Sequence, residues 1–156
     1  MKNSMPILLV DDDSTDALLF ERAIEKLNIT NPLVRLTDCK EALEYLHNQN
    51  HTKPWIIFTD LNTPQLNGIE FLRAVKADQT LKNIIVIVLS GSGDESDVAE
   101  SYKLGAASYM VKPSDHKKLV DIIGTALAYW TLSELPHERM TSKPDCPSPC
   151  DKSKRN

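Results

Sequence analysis

Four apolar runs in this chain each end in a group able to do chemistry. Ile7-Leu8-Leu9-Val10 runs into Asp11-Asp12, Ile56-Ile57-Phe58-Thr59 into Asp60, residues 84–89 into Ser90, and residues 106–111 into Lys112. A carboxylate is a usable nucleophile toward phosphorus, giving an aspartyl phosphate, provided the oxygens of the transferring group are neutralised. Lys112 could neutralise one oxygen, and the Ser90 hydroxyl with nearby backbone N–H groups a second. Three ionised carboxylates in one small space repel, each like pair at 4 Å costing roughly 4 kcal/mol at an effective dielectric constant near 20. Lys112 offsets part of this. A hard divalent ion that keeps several waters, Mg²⁺, offsets the rest, with no Cys or His close in sequence to favour zinc.

To converge, these groups must leave neighbouring strands at one edge. Apolar runs alternate with amphipathic stretches, the pattern of an α/β doubly wound parallel sheet covered on both faces. The expected strands are 6–10, 32–37, 54–59, 84–89 and 106–111, and the expected helices about 15–28, 39–49, 68–77, 94–104 and 115–131. With strand order 2-1-3-4-5, the first and third strands end side by side, and the ligand crevice lies beyond their carboxyl ends. Leu18, Leu19, Ala23, Ile24 and Leu27 recur at helical spacing, as do Leu119, Ile122, Ile123, Ala126, Leu127 and Trp130. Asp13, Ser14 or Thr15 can cap the first helix, and Ser114-Asp115 the last.

At 156 residues the chain has room for one domain. A formal charge of -4 argues against a surface for phosphodiester backbones, so nucleic acid is not an expected partner. The first six residues lack an apolar h-region and no apolar run approaches 18 residues, so no membrane association and a cytoplasmic location are expected. Five glycines leave no place for a dinucleotide fingerprint. The three cysteines do not suggest a disulfide framework, and Cys146-Pro147-Ser148-Pro149-Cys150 has too few ligands for zinc. From about residue 132 four of the nine prolines mix with Lys, Ser and Asp, so 132–156 is expected to be a largely disordered extension to a domain spanning 5–131.

Across residues 5–131 the chain resembles the receiver domain of two-component response regulators. Thirty residues separate Asp60 from Ser90 and twenty-two separate Ser90 from Lys112, spacings similar to that family's. The resemblance implies a flavodoxin-like fold with Asp11 and Asp12 as the acidic pair and Asp60 as the phosphoacceptor. It implies Ser90 and Tyr109 as switch residues, Lys112 as the essential lysine, and a cis Lys112–Pro113 bond. Mg²⁺ would be held by Asp12, Asp60 and the Asn62 carbonyl, with Asp11 acting through water. Pro64 and Gly68 match the turn after the phosphoacceptor, with Thr63 where Met or Leu is usual, and Gly91 leaves room for a phosphoryl group. Asn62 and Ser92 are placed to admit or exclude an attacking water.

The implied function is acceptance of a phosphoryl group from a histidine kinase or phosphotransfer protein. The Ser90 hydroxyl would be drawn toward the new charge, Tyr109 would rotate into the vacated space, and the face of helix four, strand five and helix five would change. The ending Ala128-Tyr129-Trp130-Thr131-Leu132 resembles single-domain receivers paired with bacterial phytochrome-type histidine kinases, whose extension serves dimer packing. Trp130 and Tyr129 either finish the monomer core or, beside Leu132 and Leu135, form a patch for a homodimer.

Plainer roles exist for each residue alone. Asp11, Asp12 and Asp13 could cap a helix, Ser90 a loop, Lys112 could be solvated, and Tyr109 could be an ordinary half-buried strand residue. It is their combination that indicates a site. A hydrolase using an aspartyl phosphate intermediate would place an acid two residues after the nucleophile, where Asn62 stands. A scaffold that has lost phosphorylation would not need the full set of groups.

Overall fold

The computed structural model describes residues 4–63 and 66–135. Strands and helices alternate: β1 (Ile7–Val10), α1 (Ser14–Lys26), β2 (Leu33–Leu36), α2 (Cys39–His47), β3 (Ile56–Thr59), α3 (Gly68–Ala77), β4 (Ile85–Ser90), α4 (Glu95–Lys103), β5 (Ser108–Val111) and α5 (His116–Leu132). All strand pairs are parallel, in the order β2-β1-β3-β4-β5, as the alternation of runs predicts.

Side chains along a strand point alternately to opposite faces, so each central strand feeds two cores. Ile7, Leu9, Ile56, Phe58, Ile87 and Leu89 pack with Leu19, Phe20, Ala23, Leu119, Ile123 and Leu127 of α1 and α5. On the other face Leu8, Val10, Ile57, Val86 and Val88 meet Ala42, Leu46, Phe71, Leu72 and Val75 of α2 and α3. Burial on both faces explains why these strands read as unbroken apolar runs. The edge strands β2 and β5 are only half buried, apart from exposed Val111, which is why Arg35 and Tyr109 fit there.

Every helix begins on an Asx cap, which satisfies N–H groups that have no partner inside the helix. Asp13 accepts from Thr15 and Asp16, Asp38 from Glu41, Asn67 from Glu70, Asp94 from Ser96, and Asp115 from Lys117 and Lys118. Of the three candidates for α1, Asp13 is therefore the cap. The helix α2 stops at His47 rather than 49 because Asn48 leaves helical geometry and its side chain accepts from Asn50 N–H at 2.8 Å. β4 runs to Ser90, one residue further than expected, since Ser90 is in register with Val111.

One expectation is overturned: among the described residues no peptide bond is cis, so Lys112–Pro113 is trans. Trans is the lower-energy form of an X–Pro bond by about 0.5–1 kcal/mol. The expected tail lies, beyond Leu135, outside the described residues, as do Pro64, Cys146 and Cys150. No described helix is long and apolar enough to cross a membrane.

The entry to α3 lies hard against the loop after β3. A Cβ on Gly68 would sit 2.7 Å from both the Asp60 carbonyl oxygen and Leu61 Cα, and 2.9 Å from Leu61 Cδ2. Gly68 N–H also donates to the Leu61 carbonyl at 2.9 Å, so the loop cannot retreat without losing that bond. Gly68→Ala should therefore destabilise the protein by about 1–3 kcal/mol through overpacking, read as a lower urea midpoint; an unchanged midpoint would contradict the close approach.

Candidate functional site

The ladder places the reactive groups. Val10 and Thr59 are partners in register, so Asp11 and Asp60 leave adjacent strands together. Asp60 N–H donates to the Val10 carbonyl and Asp11 N–H to the Leu36 carbonyl, both at 3.0 Å, extending the pairing one step beyond the strands. On the other side Lys112 N–H donates to the Ser90 carbonyl at 2.8 Å, fixing where the lysine departs.

From there the Lys112 side chain reaches back over β4 and its ammonium meets three carboxylates. Nζ lies 3.0 Å from Asp11 Oδ2, 2.9 Å from Asp60 Oδ2 and 2.7 Å from Asp16 Oδ2. The second oxygens of the two strand-end carboxylates are tied to backbone. Asp13 N–H donates to Asp11 Oδ1 at 2.9 Å, and Asn62 N–H to Asp60 Oδ1 at 3.1 Å. Asp11 is almost sealed, at 3% side-chain exposure, whereas Asp60 keeps 13% and can be approached.

Charge and burial oppose each other here. Burial raises the Asp11 carboxyl from 3.8 to about 6, although the Asp13 N–H and the Lys112 ammonium both favour its charged form. Burial alone would lower the Lys112 ammonium, but its bond to Asp16 and the charges and bonds of Asp11 and Asp60 hold it above the usual lysine range. Three carboxylates around one ammonium leave the site anionic, and all its donors are oxygens. That set suits a hard divalent cation rather than zinc. Asp12 and Asn62 are exposed at the rim, and the described residues contain no group of three or more His, Cys, Asp or Glu disposed to hold a metal as they stand.

Ser90 is fully buried at the end of β4, where its Oγ accepts from Ser92 N–H at 3.2 Å. The Tyr109 hydroxyl donates to the Ser92 carbonyl at 2.6 Å, and Tyr109 N–H donates to the Tyr102 hydroxyl at 3.1 Å. Tyr109 is half buried, with its hydroxyl held by the loop after β4. A Cβ on Gly91 would meet nothing within 4 Å, consistent with the room expected beside Ser90. Behind Asp60, the Cys39 thiol contacts the Thr59 hydroxyl at 3.8 Å and accepts from Thr63 at 3.2 Å, which gives Thr63 a role in closing the loop.

Asp11, Asp60 and Lys112 are brought together as the strand ends predict, and Ser90 and Tyr109 share the adjoining loop. Asp16 was not anticipated. In the first turn of a helix a carboxylate reads as a partner for the helix dipole. The available signal was directional: helical side chains tilt toward the N-terminus, which aims Asp16 back at the strand ends.

In chelator-treated protein, a carboxyl-carbon NMR titration should place the Asp11 midpoint near 6 and higher still when Lys112 is replaced by Met. Between 3.8 and about 6 the native state keeps a proton that the unfolded chain has lost. The stability Asp11 contributes at lower pH therefore disappears as pH rises through its folded value. Asp11→Asn should gain on wild type across that window by up to about 3 kcal/mol in urea unfolding; a midpoint at the ordinary carboxylate value would contradict this.

Residues 7–124 match the family described as the response regulator receiver domain. The chain is 34% identical over 128 residues to Response regulator Rcp1 of Synechocystis, covering 80% of this chain and 87% of that protein. The crystal structure of the phosphorylated cyanobacterial phytochrome response regulator RcpA superposes with a TM-score of 0.81 at 32% identity, covering 86% of this chain and 99% of that one. The Mn²⁺-bound form of Rcp1 gives 0.81 at 33% identity, covering 85% and 99%. Receiver domains are signalling proteins that bind Mg²⁺ or Mn²⁺ at an acidic pocket, which is the character of the pocket described above. Fold, site and comparisons agree: this chain belongs to the response regulator receiver domain family of two-component signalling.

Proposed function

We propose that Asp60 is the phosphoacceptor, taking its phosphoryl group from a histidine kinase or phosphotransfer protein. The observation that carries this reading is the approachable Asp60 carboxylate held 2.9 Å from a cation that also faces Asp11. An Asp60 oxygen attacks the phosphorus of a phosphohistidine, forming the O–P bond as the N–P bond breaks and its electron pair returns to the imidazole. Lys112 holds one phosphoryl oxygen. The Ser90 hydroxyl, with the N–H groups beside Gly91, receives another. Asp11, Asp12, Asp60 and the Asn62 carbonyl would hold Mg²⁺, which supplies charge neutralisation at the remaining oxygen when bound.

We assign the receiver unit to 5–131 and 132–156 to an extension, and place the signal in the α4–β5–α5 face. Tyr109 is tied by its hydroxyl to the Ser92 carbonyl and by its N–H to α4 through Tyr102, so a shift of the loop after β4 reaches that face. In this reading Ser90 and Tyr109 are the switch pair, and the phosphorylated loop changes a population rather than creating a new fold. The similarity to RcpA and Rcp1 supports a phytochrome-type histidine kinase as the donor.

Incubation with Mg²⁺ and a small acyl phosphate should add one phosphoryl group by intact mass, absent in Asp60→Asn and after chelation. An unmodified wild type would overturn the assignment.

The end of α5 supports a homodimer. Trp130 packs on the core and stacks edge-on against Tyr129 at 4.9 Å, while Tyr129 is 61% and Leu132 85% exposed. Placing a charge there with Leu132→Glu should leave the fold intact and shift the sedimentation velocity peak from dimer to monomer. A wild type that sediments as a monomer at micromolar concentration would remove this assembly.

A further inference from the structure

Lysine has three N–H donors, and in this structure each of the three carboxylates around Lys112 takes one. The shortest of these contacts, 2.7 Å, goes to Asp16, which comes from a helix rather than a strand end. Phosphorylation changes only one of the three acceptors. When Asp60 becomes an acyl phosphate its carboxylate charge is gone, and the hydrogen that Lys112 gave it passes to a phosphoryl oxygen. Asp11 and Asp16 keep theirs.

Resting on the phosphoacceptor reading above, we propose that Asp16 is a positioning residue: together with Asp11 it anchors the Lys112 ammonium, leaving a single exchangeable donor aimed at Asp60 and the incoming phosphoryl group. Asp16 is suited to this because it lies outside the strand edge and, at 18% side-chain exposure, is shielded enough for the contact to persist. Anchored from one side only, an ammonium on a four-carbon stem would sample many orientations. With Asp16 in place, α1 fixes the lysine from the side opposite β5, so the first turn of α1 becomes part of the catalytic geometry.

The test has one arm independent of phosphorylation. In ¹⁵N-lysine protein at rest, the Lys112 ammonium should give a protected side-chain signal that Asp16→Asn abolishes and Asp16→Glu largely restores, with backbone amide spectra confirming an intact fold. In the second arm, Asp16→Asn should slow phosphorylation at saturating acyl phosphate about five- to tenfold, as loss of a charge-assisted bond would. The half-saturating donor concentration should stay the same, and the substitution should have no further effect in a Lys112→Ala background. An unchanged Lys112 signal in Asp16→Asn overturns the anchoring. Additive losses in the double variant overturn the action through lysine. A wild type that accepts no phosphoryl group while its Lys112 signal behaves as expected overturns the phosphoacceptor reading and leaves the resting anchor standing.

Discussion

One half-buried ammonium answering three carboxylates is the constraint around which this molecule is arranged. Without Lys112, Asp11 and Asp60 would be two like charges leaving adjacent strands with little water between them. The sheet order puts those charges together, and only a cation reaching back from β5 makes the arrangement tolerable. In the proposed reading the residual negative charge is useful as well as costly, because it would draw a divalent ion into a place that one lysine cannot fully neutralise. Stability and chemistry thus draw on the same few contacts, and the raised Asp11 carboxyl marks where they compete.

The supporting parts follow from this need for placement. Extra ladder bonds at Asp11, Asp60 and Lys112 carry the regularity of the sheet past its formal ends, so the reactive residues inherit its rigidity. Gly68 lets α3 press against the Asp60 loop from beneath. Cys39, buried between two threonine hydroxyls, seals the same loop from α2, and burial raises its thiol so that it serves as packing rather than as a nucleophile.

The fold was legible because the central strands are buried on both faces and announce themselves as apolar runs, and because Asp13 and Asp115 mark the starts of the first and last helices chemically. The strand-end residues of the site were legible for the same reason. Asp16 was not, since a first-turn acid looks identical whether it serves a helix dipole or reaches a lysine 96 positions away. The contacts of Tyr109 were equally hidden: nothing in a strand tyrosine's type points to the bond its hydroxyl makes with the Ser92 carbonyl. The Lys112–Pro113 bond shows the reverse problem, a family habit that the residues in hand do not impose.

The hydroxyl of Tyr102 has a further effect where it meets Tyr109. β5 has a sheet neighbour on one side only, and an uncovered border strand is a template for fibrillar growth and for stitching foreign chains into a sheet. By occupying the Tyr109 N–H, α4 removes a docking point that such a template would use. The outer margin of the sheet is thereby blunted by a side chain from its own neighbour, and one rung of that flank is closed to an incoming strand.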